Sequence, residues 1–265
     1  MALDSTRRFS NQATVGLGSA TGGQFDKFDL HATAQYALGF KIEQADGSVY
    51  RYAHLGAATN RGLVVSQDLS ETSVVDTDNA VIAPASAVSV SDETVKPGAI
   101  GSHYVQLTVA SITANQFLGG KLVITDDTGE GYTYDILGNT ATDNPATGDI
   151  RLALAQKLQV ALDTTSDIAI VGSNYSDLEG ITTTDEVAAG VTCATTTSAL
   201  PYCWIQTKGN VGILQQGTVN IGDILTVGSD VGSVATATVF TSPFIGQCID
   251  PGDTTGHCIA KINLE

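Results

Sequence analysis

Hydrophobic and polar residues alternate in short runs along most of this chain, and the alternation has the two-residue period of strands. The pattern is densest at residues 202–227. There Trp204, Gln206 and Lys208 alternate with Ile205 and Thr207, and Lys208-Gly209-Asn210 reads as a turn. Val211, Ile213 and Leu214 resume an apolar strand that Gln216-Gly217 closes, Val219 and Ile221 begin another, and Gly222-Asp223 leads into residues 224–227. Nearer the start, Tyr36, Leu38, Phe40 and Ile42 alternate on one strand. Ala45-Asp46-Gly47-Ser48 is a strong turn, and on the return strand Val49, Arg51 and Ala53 alternate with Tyr50, Tyr52 and His54. Asn60-Arg61-Gly62 predicts a further turn before a strand at 63–66. Residues 67–79 are polar and acidic and read as a loop or linker, with a short strand within 81–90.

The central block opens with a strand at 103–109, followed by one helical turn at 113–117 and strands at 121–125 and 132–137 around a turn at 126–131. Residues 139–148 read as a polar loop. Ile150, Leu152 and Leu154 alternate as a strand, although residues 153–162 also suit a short helix. Ile168, Ile170 and Val171 lead to a turn at 172–174, and late in the chain Ile259, Lys261 and Asn263 alternate against Ala260, Ile262 and Leu264. Short strands at roughly 8 to 12-residue spacing predict barrels or sandwiches and argue against a parallel sheet. The expected fold is therefore mainly β, of antiparallel β-barrel or sandwich modules with an extended N-terminal arm and few short helices. The expected division is an arm at 1–34, a hairpin region at 35–100, a central β module at 101–180 and a barrel-like module at 181–265.

Composition agrees with that picture. The 265 residues are 42% hydrophobic, enough for a substantial core, and only 15% charged, with 28 glycines to supply turns. Twelve basic against 28 acidic side chains give a formal charge of −16. Such a surface repels a phosphate backbone, so nucleic acid is not an expected partner. No run of about 18 apolar residues predicts a membrane-spanning helix, and residues 1–12 lack the layout of a signal peptide, so assembly in a cytoplasm is expected and no membrane partner is.

Little in the sequence assembles into chemistry. Asp127-Thr128-Gly129 spells the aspartic-protease triplet, but Asp126 and Glu130 crowd it and it stands where a hairpin turn belongs. Gly16, Gly18 and Gly22 miss the spacing of a dinucleotide fingerprint. His31, His54, His103 and His257 are isolated, and the acidic positions Asp223, Asp250 and Asp253 have no EF-hand layout. Neither a cofactor nor a metal is expected. The cysteines, Cys193, Cys203, Cys248 and Cys258, lack zinc-ribbon spacing, which leaves buried thiols or one or two disulfides. Cys248 and Cys258 flank the turn Asp250-Pro251-Gly252-Asp253 and are placed to face each other across a hairpin. Arg7, Arg8 and Lys27 form a basic N-terminal set that either docks on an acidic neighbour or serves solubility.

The pattern Tyr202-x-Trp204-Ile205-Gln206-x-x-Gly209, then Gly217-Thr218-Val219, Gly222-Asp223-Ile224-Leu225-Thr226 and Phe244-Ile245-Gly246, resembles the C-terminal part of decoration or cement-type head proteins of tailed bacteriophages. Residues 39–57 and 112–140 resemble their N-terminal and central hairpins, in the same order. The resemblance implies a non-enzymatic structural protein of the virion, bound to the capsid exterior, bridging neighbouring major capsid subunits and self-associating as a homotrimer. On that reading Tyr50, Tyr52, Tyr202 and Trp204 are either interface anchors or core residues. The alternative is a head-fibre or tail-associated adhesin that recognises a host, with a hydrolase on a β scaffold as a third reading.

Overall fold

The computed structural model describes residues 25–67, 74–77, 88–90, 93–95, 97–109, 111–142, 148–183, 186–238 and 243–265. Arg7, Arg8, the glycines at 16, 18 and 22, and residues 81–87 of the expected short strand lie outside them. The early strands are β1 (Lys41–Glu43), β2 (Val49–His54) and β3 (Val64–Gln67). Next come β4 (Val74–Thr77), β5 (Val88–Val90), β6 (Glu93–Val95), β7 (Tyr104–Thr108), β8 (Lys121–Asp126), β9 (Thr133–Asn139), β10 (Asp149–Leu154) and β11 (Asp167–Val171). The last are β12 (Leu178–Gly180), β13 (Ala188–Thr192), β14 (Tyr202–Leu214), β15 (Ile224–Val227), β16 (Val234–Thr236), β17 (Gly246–Asp250) and β18 (His257–Asn263). Among the described residues the ladders between these strands are all antiparallel, as the mainly β reading expects, and only the isolated bridges Leu55–Leu178 and Gln215–Val234 are parallel. The few short helices expected are not found among the described residues.

The chain divides into two compact units by space and not by sequence order. One comprises residues 1–67 and 175–265, the other residues 68–174. The first hairpin and the C-terminal block, separate modules in the sequence reading, thus share one sheet. Its order is β12-β3-β13-β14-β18-β17-β15-β16, with β2 also on β14 and β1 on β2. The long strand β14 holds this unit together: residues 202–208 pair with β2, and residues 208–214 pair with β18. Lys208-Gly209-Asn210 is therefore no turn. Gly209, at φ +105°, lets the chain pass a register shift against β2 and run on. Val219 and Ile221 likewise form no strand, since residues 216–223 make a loop in which only Val219 is buried.

The second unit is a six-stranded sheet, β4-β11-β8-β9-β10-β7. β4 falls inside the segment read as a linker. One sheet face carries Val105, Leu107, Leu122, Ile124, Tyr134, Ile136, Ile150, Leu152, Leu154, Ile168 and Ile170, all buried in one cluster with Phe117, Leu158 and Leu162. Each such aliphatic side chain contributes about 1.5–3 kcal/mol on leaving water. That term also decides the ambiguous segment 153–162, which is not helical. The amides of Leu154, Leu158 and Leu162 donate to the carbonyls of His103, Ser102 and Gly98, so tertiary pairing takes the donors a helix would use. The helical turn expected at 113–117 is instead a turn with Asn115 at φ 61°. Asn139 holds it, accepting from the Phe117 amide at 2.9 Å and donating to the Thr113 carbonyl at 2.8 Å.

Candidate functional site

The aromatic residues singled out from the sequence come together, but as core. Trp204 lies opposite Tyr52 in the β14–β2 ladder, and Gln206 lies opposite Tyr50. The Trp204 ring is 5.1 Å from Phe25, 5.3 Å from Tyr36 and 5.1 Å from Tyr52, centroid to centroid. Tyr50, Tyr52 and Trp204 are buried and cannot anchor a partner, which corrects the interface reading for these three. Burial, its main cause, pushes the Tyr50 phenol up to about 12. The Tyr52 hydroxyl accepts from the Gln35 amide at 3.2 Å and meets His31 Nδ1 at 3.1 Å, so its polar end is satisfied inside. Tyr202 is half-buried, stacked on Tyr52 and 4.7 Å from the His54 ring.

The four cysteines are free thiols and all are buried. Of the two alternatives left open by the sequence, the structure has the thiols: Cys248 and Cys258 are neighbours across the hairpin, with a hydrogen bond between their side chains, and are not bridged. Burial raises the thiols of Cys193 and Cys203 to about 12 and that of Cys258 to about 11, and it also raises Cys248. None is poised as a nucleophile. Asp127 is exposed at φ 58° in the β8–β9 turn, and a Cβ on Gly129 would stand 2.9 Å from Leu162 Cδ2, so the triplet has the backbone of a tight turn. His54 Nδ1 is 3.0 Å from the Asp177 carboxylate, whose pKa it lowers by hydrogen bonding. Among the described residues no three His, Cys, Asp or Glu side chains gather as a metal site.

What the sequence did not mark is the outward face of β15, β17 and β18. β18 alternates strictly, with Cys258, Ala260 and Ile262 inward and His257, Ile259, Lys261 and Asn263 outward. The register sets Ile224 beside Gln247 and Gln247 beside Lys261, all exposed. One step along, the extra residue of the β17 bulge, Ile249, neighbours Ile259. Gly222 donates its amide to the Cys248 carbonyl and accepts from Gln247 Nε2 at 3.0 Å, which ties the loop that carries Ile221 to β17. Three isoleucines thus stand on one face, Ile224, Ile249 and Ile259, at 43%, 40% and 45% exposure, and Ile221, 73% exposed, lies in the adjoining loop. Isolated exposed apolar residues are ordinary, and this group is set apart by its gathering on one ladder. Phe244, from the late Phe-Ile-Gly motif, is also exposed where the chain enters β17, while Ile245 behind it is fully buried.

Ile259 pairs with Gly212 of β14, and Gly212 lines a cleft that also contains Lys27. Of the expected interface residues in the described part of the chain, Lys27 and half-buried Tyr202 are the two that reach the surface. No protein-family model, no curated protein and no solved structure matches this chain.

Proposed function

We propose that this chain is a structural virion protein that binds the outer surface of a phage capsid and bridges neighbouring major capsid subunits. The observation that supports the reading most directly is the isoleucine face on β15, β17 and β18. Removing such side chains from water drives association, and a fixed ladder limits the ordering entropy lost when a partner covers them. The net charge of −16 suits an exterior position away from packaged DNA. Self-association as a homotrimer would let one modest contact act three times. A stable contact needs roughly 800 Å2 per partner, more than these isoleucines supply, so the surrounding polar rim takes part. The adhesin reading draws less support: among the described residues the exposed rings are Phe28, Tyr132 and Phe244, a thin set for a glycan platform.

The test is capsid occupancy. Purified protein mixed with undecorated capsids is expected to bind, and Ile249→Asp combined with Ile259→Asp to lower affinity at least about tenfold, because each places a charge in a desolvated contact. Both positions are exposed, so the fold is expected to survive, which circular dichroism checks. Absence of binding by the parent chain, or full occupancy by the double variant, would count against the proposal.

A further inference from the structure

Beside the isoleucine face the first unit opens a cleft of about 350 Å3 whose lining includes Lys27, Phe28, Arg61, Gln206, Val211 and His257. Local structure fixes each wall. Residues 26–29 form a turn in which the Asp26 carboxylate accepts the Phe28 amide at 2.9 Å, and this places Lys27 Nζ 5.2 Å from the Phe28 ring centroid and 5.9 Å from that of Tyr50. Asp26 and Asp29 are exposed and do not line the cleft. Arg61 sits on the turn before β3. That turn is held to two strands: Gly62 donates to the Thr192 carbonyl and accepts from the Leu214 amide, both at 2.8 Å. His257 packs against it, since a Cβ on Gly62 would come within 2.7 Å of the imidazole.

The charges are the informative part. Lys41 and Arg51 are both ion-paired to Glu265, and Lys121 to Asp135. Lys27 and Arg61, like Arg151, Lys157, Lys208 and Lys261, have no carboxylate of the described residues within ion-pair distance, and what sets these two apart is that they share one cleft. On a chain with 28 acidic side chains, two unneutralised cations in a concavity leave the negative charge to be brought by a ligand. Phe28, 57% exposed, and Val211 add apolar surface within the cleft, and Gly212 carries the surface on to Ile259. A free phosphate would use the cations and leave these apolar walls wet. A peptide that alternates carboxylate and aliphatic side chains uses both.

We propose that this cleft binds an acidic peptide segment, with Lys27 and Arg61 pairing to its carboxylates and Phe28 and Val211 covering an adjacent aliphatic side chain. The inference concerns the ligand class of the cleft and stands apart from the identity of any capsid partner, so peptide binding and capsid occupancy can fail independently.

Isothermal titration of the full chain tests it, with a capped five-residue peptide alternating glutamate and leucine, its glutamine counterpart, and inorganic phosphate. The glutamate peptide is expected to bind, with affinity falling as salt is raised. Lys27→Gln with Arg61→Gln is expected to weaken it at least about tenfold, since charge-assisted bonds are lost. Gly212→Asp is expected to do the same by placing a competing carboxylate at the cleft. A Cβ at this position meets nothing within 4 Å, so this variant carries the test if the double variant fails to fold. Equal binding of the glutamine peptide, no binding by the parent chain, undiminished binding by the folded variants, or tighter binding of phosphate than of the peptide would each overturn the proposal.

Discussion

The Glu265 carboxylate accepts Arg51 Nε at 3.0 Å and Nη2 at 2.8 Å, and the Thr207 hydroxyl at 2.6 Å, with Lys41 Nζ at 3.5 Å. The Arg51 bonds are the main reason its pKa drops from an ordinary 4.5 to about 2. A depressed folded-state value means that the contact's contribution is complete above pH 4.5 and is lost as pH falls through about 2. Glu265→Gln is therefore expected to cost about 2 kcal/mol at pH 7 and to flatten the acid side of the stability curve. Urea unfolding across pH 2 to 5 reads both effects, and an unchanged acid slope would reject the assignment. At this scale the sequence is a partial guide. β18 shows its inward and outward residues plainly because one face is wet, whereas β2 is covered on both faces, so nothing in its alternation separates buried Tyr50 and Tyr52 from anchors.

At the scale of elements, β14 carries two glycines three residues apart with opposite roles. Gly209 has φ +105°, and a Cβ there would meet Ser48 Oγ at 2.7 Å and Ser48 Cα at 3.1 Å. Gly212 has open space. Gly209→Ala is expected to cost about 2 kcal/mol or more, and Gly212→Ala to change stability by no more than about 0.5 kcal/mol. Denaturant midpoints of the two variants compare them directly, and similar values would contradict the bulge assignment. The sequence misleads here for a physical reason: Lys-Gly-Asn has turn chemistry, and only the partner strands β2 and β18, distant in sequence, keep the chain extended. The same cause hides β4, a short strand in a polar stretch that exists through its pairing with β11.

At the scale of the whole molecule, residues 68–174 interrupt the first unit in sequence, and the flanking chain is closed within that unit, because Gln67 of β3 pairs with Leu178 of β12. Replacing residues 68–174 by a short Gly/Ser linker is expected to leave the first unit folded, since loop length costs little when the closing strands are already paired. Residues 68–174 alone are expected to fold around their own core. Trp204, the single tryptophan, belongs to the first unit, so retention of its buried emission in the shortened chain is the readout, and a solvent-exposed spectrum would refute independence. The fold class was legible because two-residue periodicity is a local signal. The insertion was not, because the residues that reveal it meet only across a long sequence separation.

Every cysteine belongs to that first unit, and the sequence of the insertion has none. Cys203, Cys248 and Cys258 are enclosed and Cys193 lies at the wall of the cleft, and burial raises all four thiols toward the unreactive protonated form. The molecule thereby carries its own clock. An alkylating dye mixed with the native chain reaches Cys203, Cys248 and Cys258 only when that unit breathes, and rearrangements confined to the insertion pass in silence.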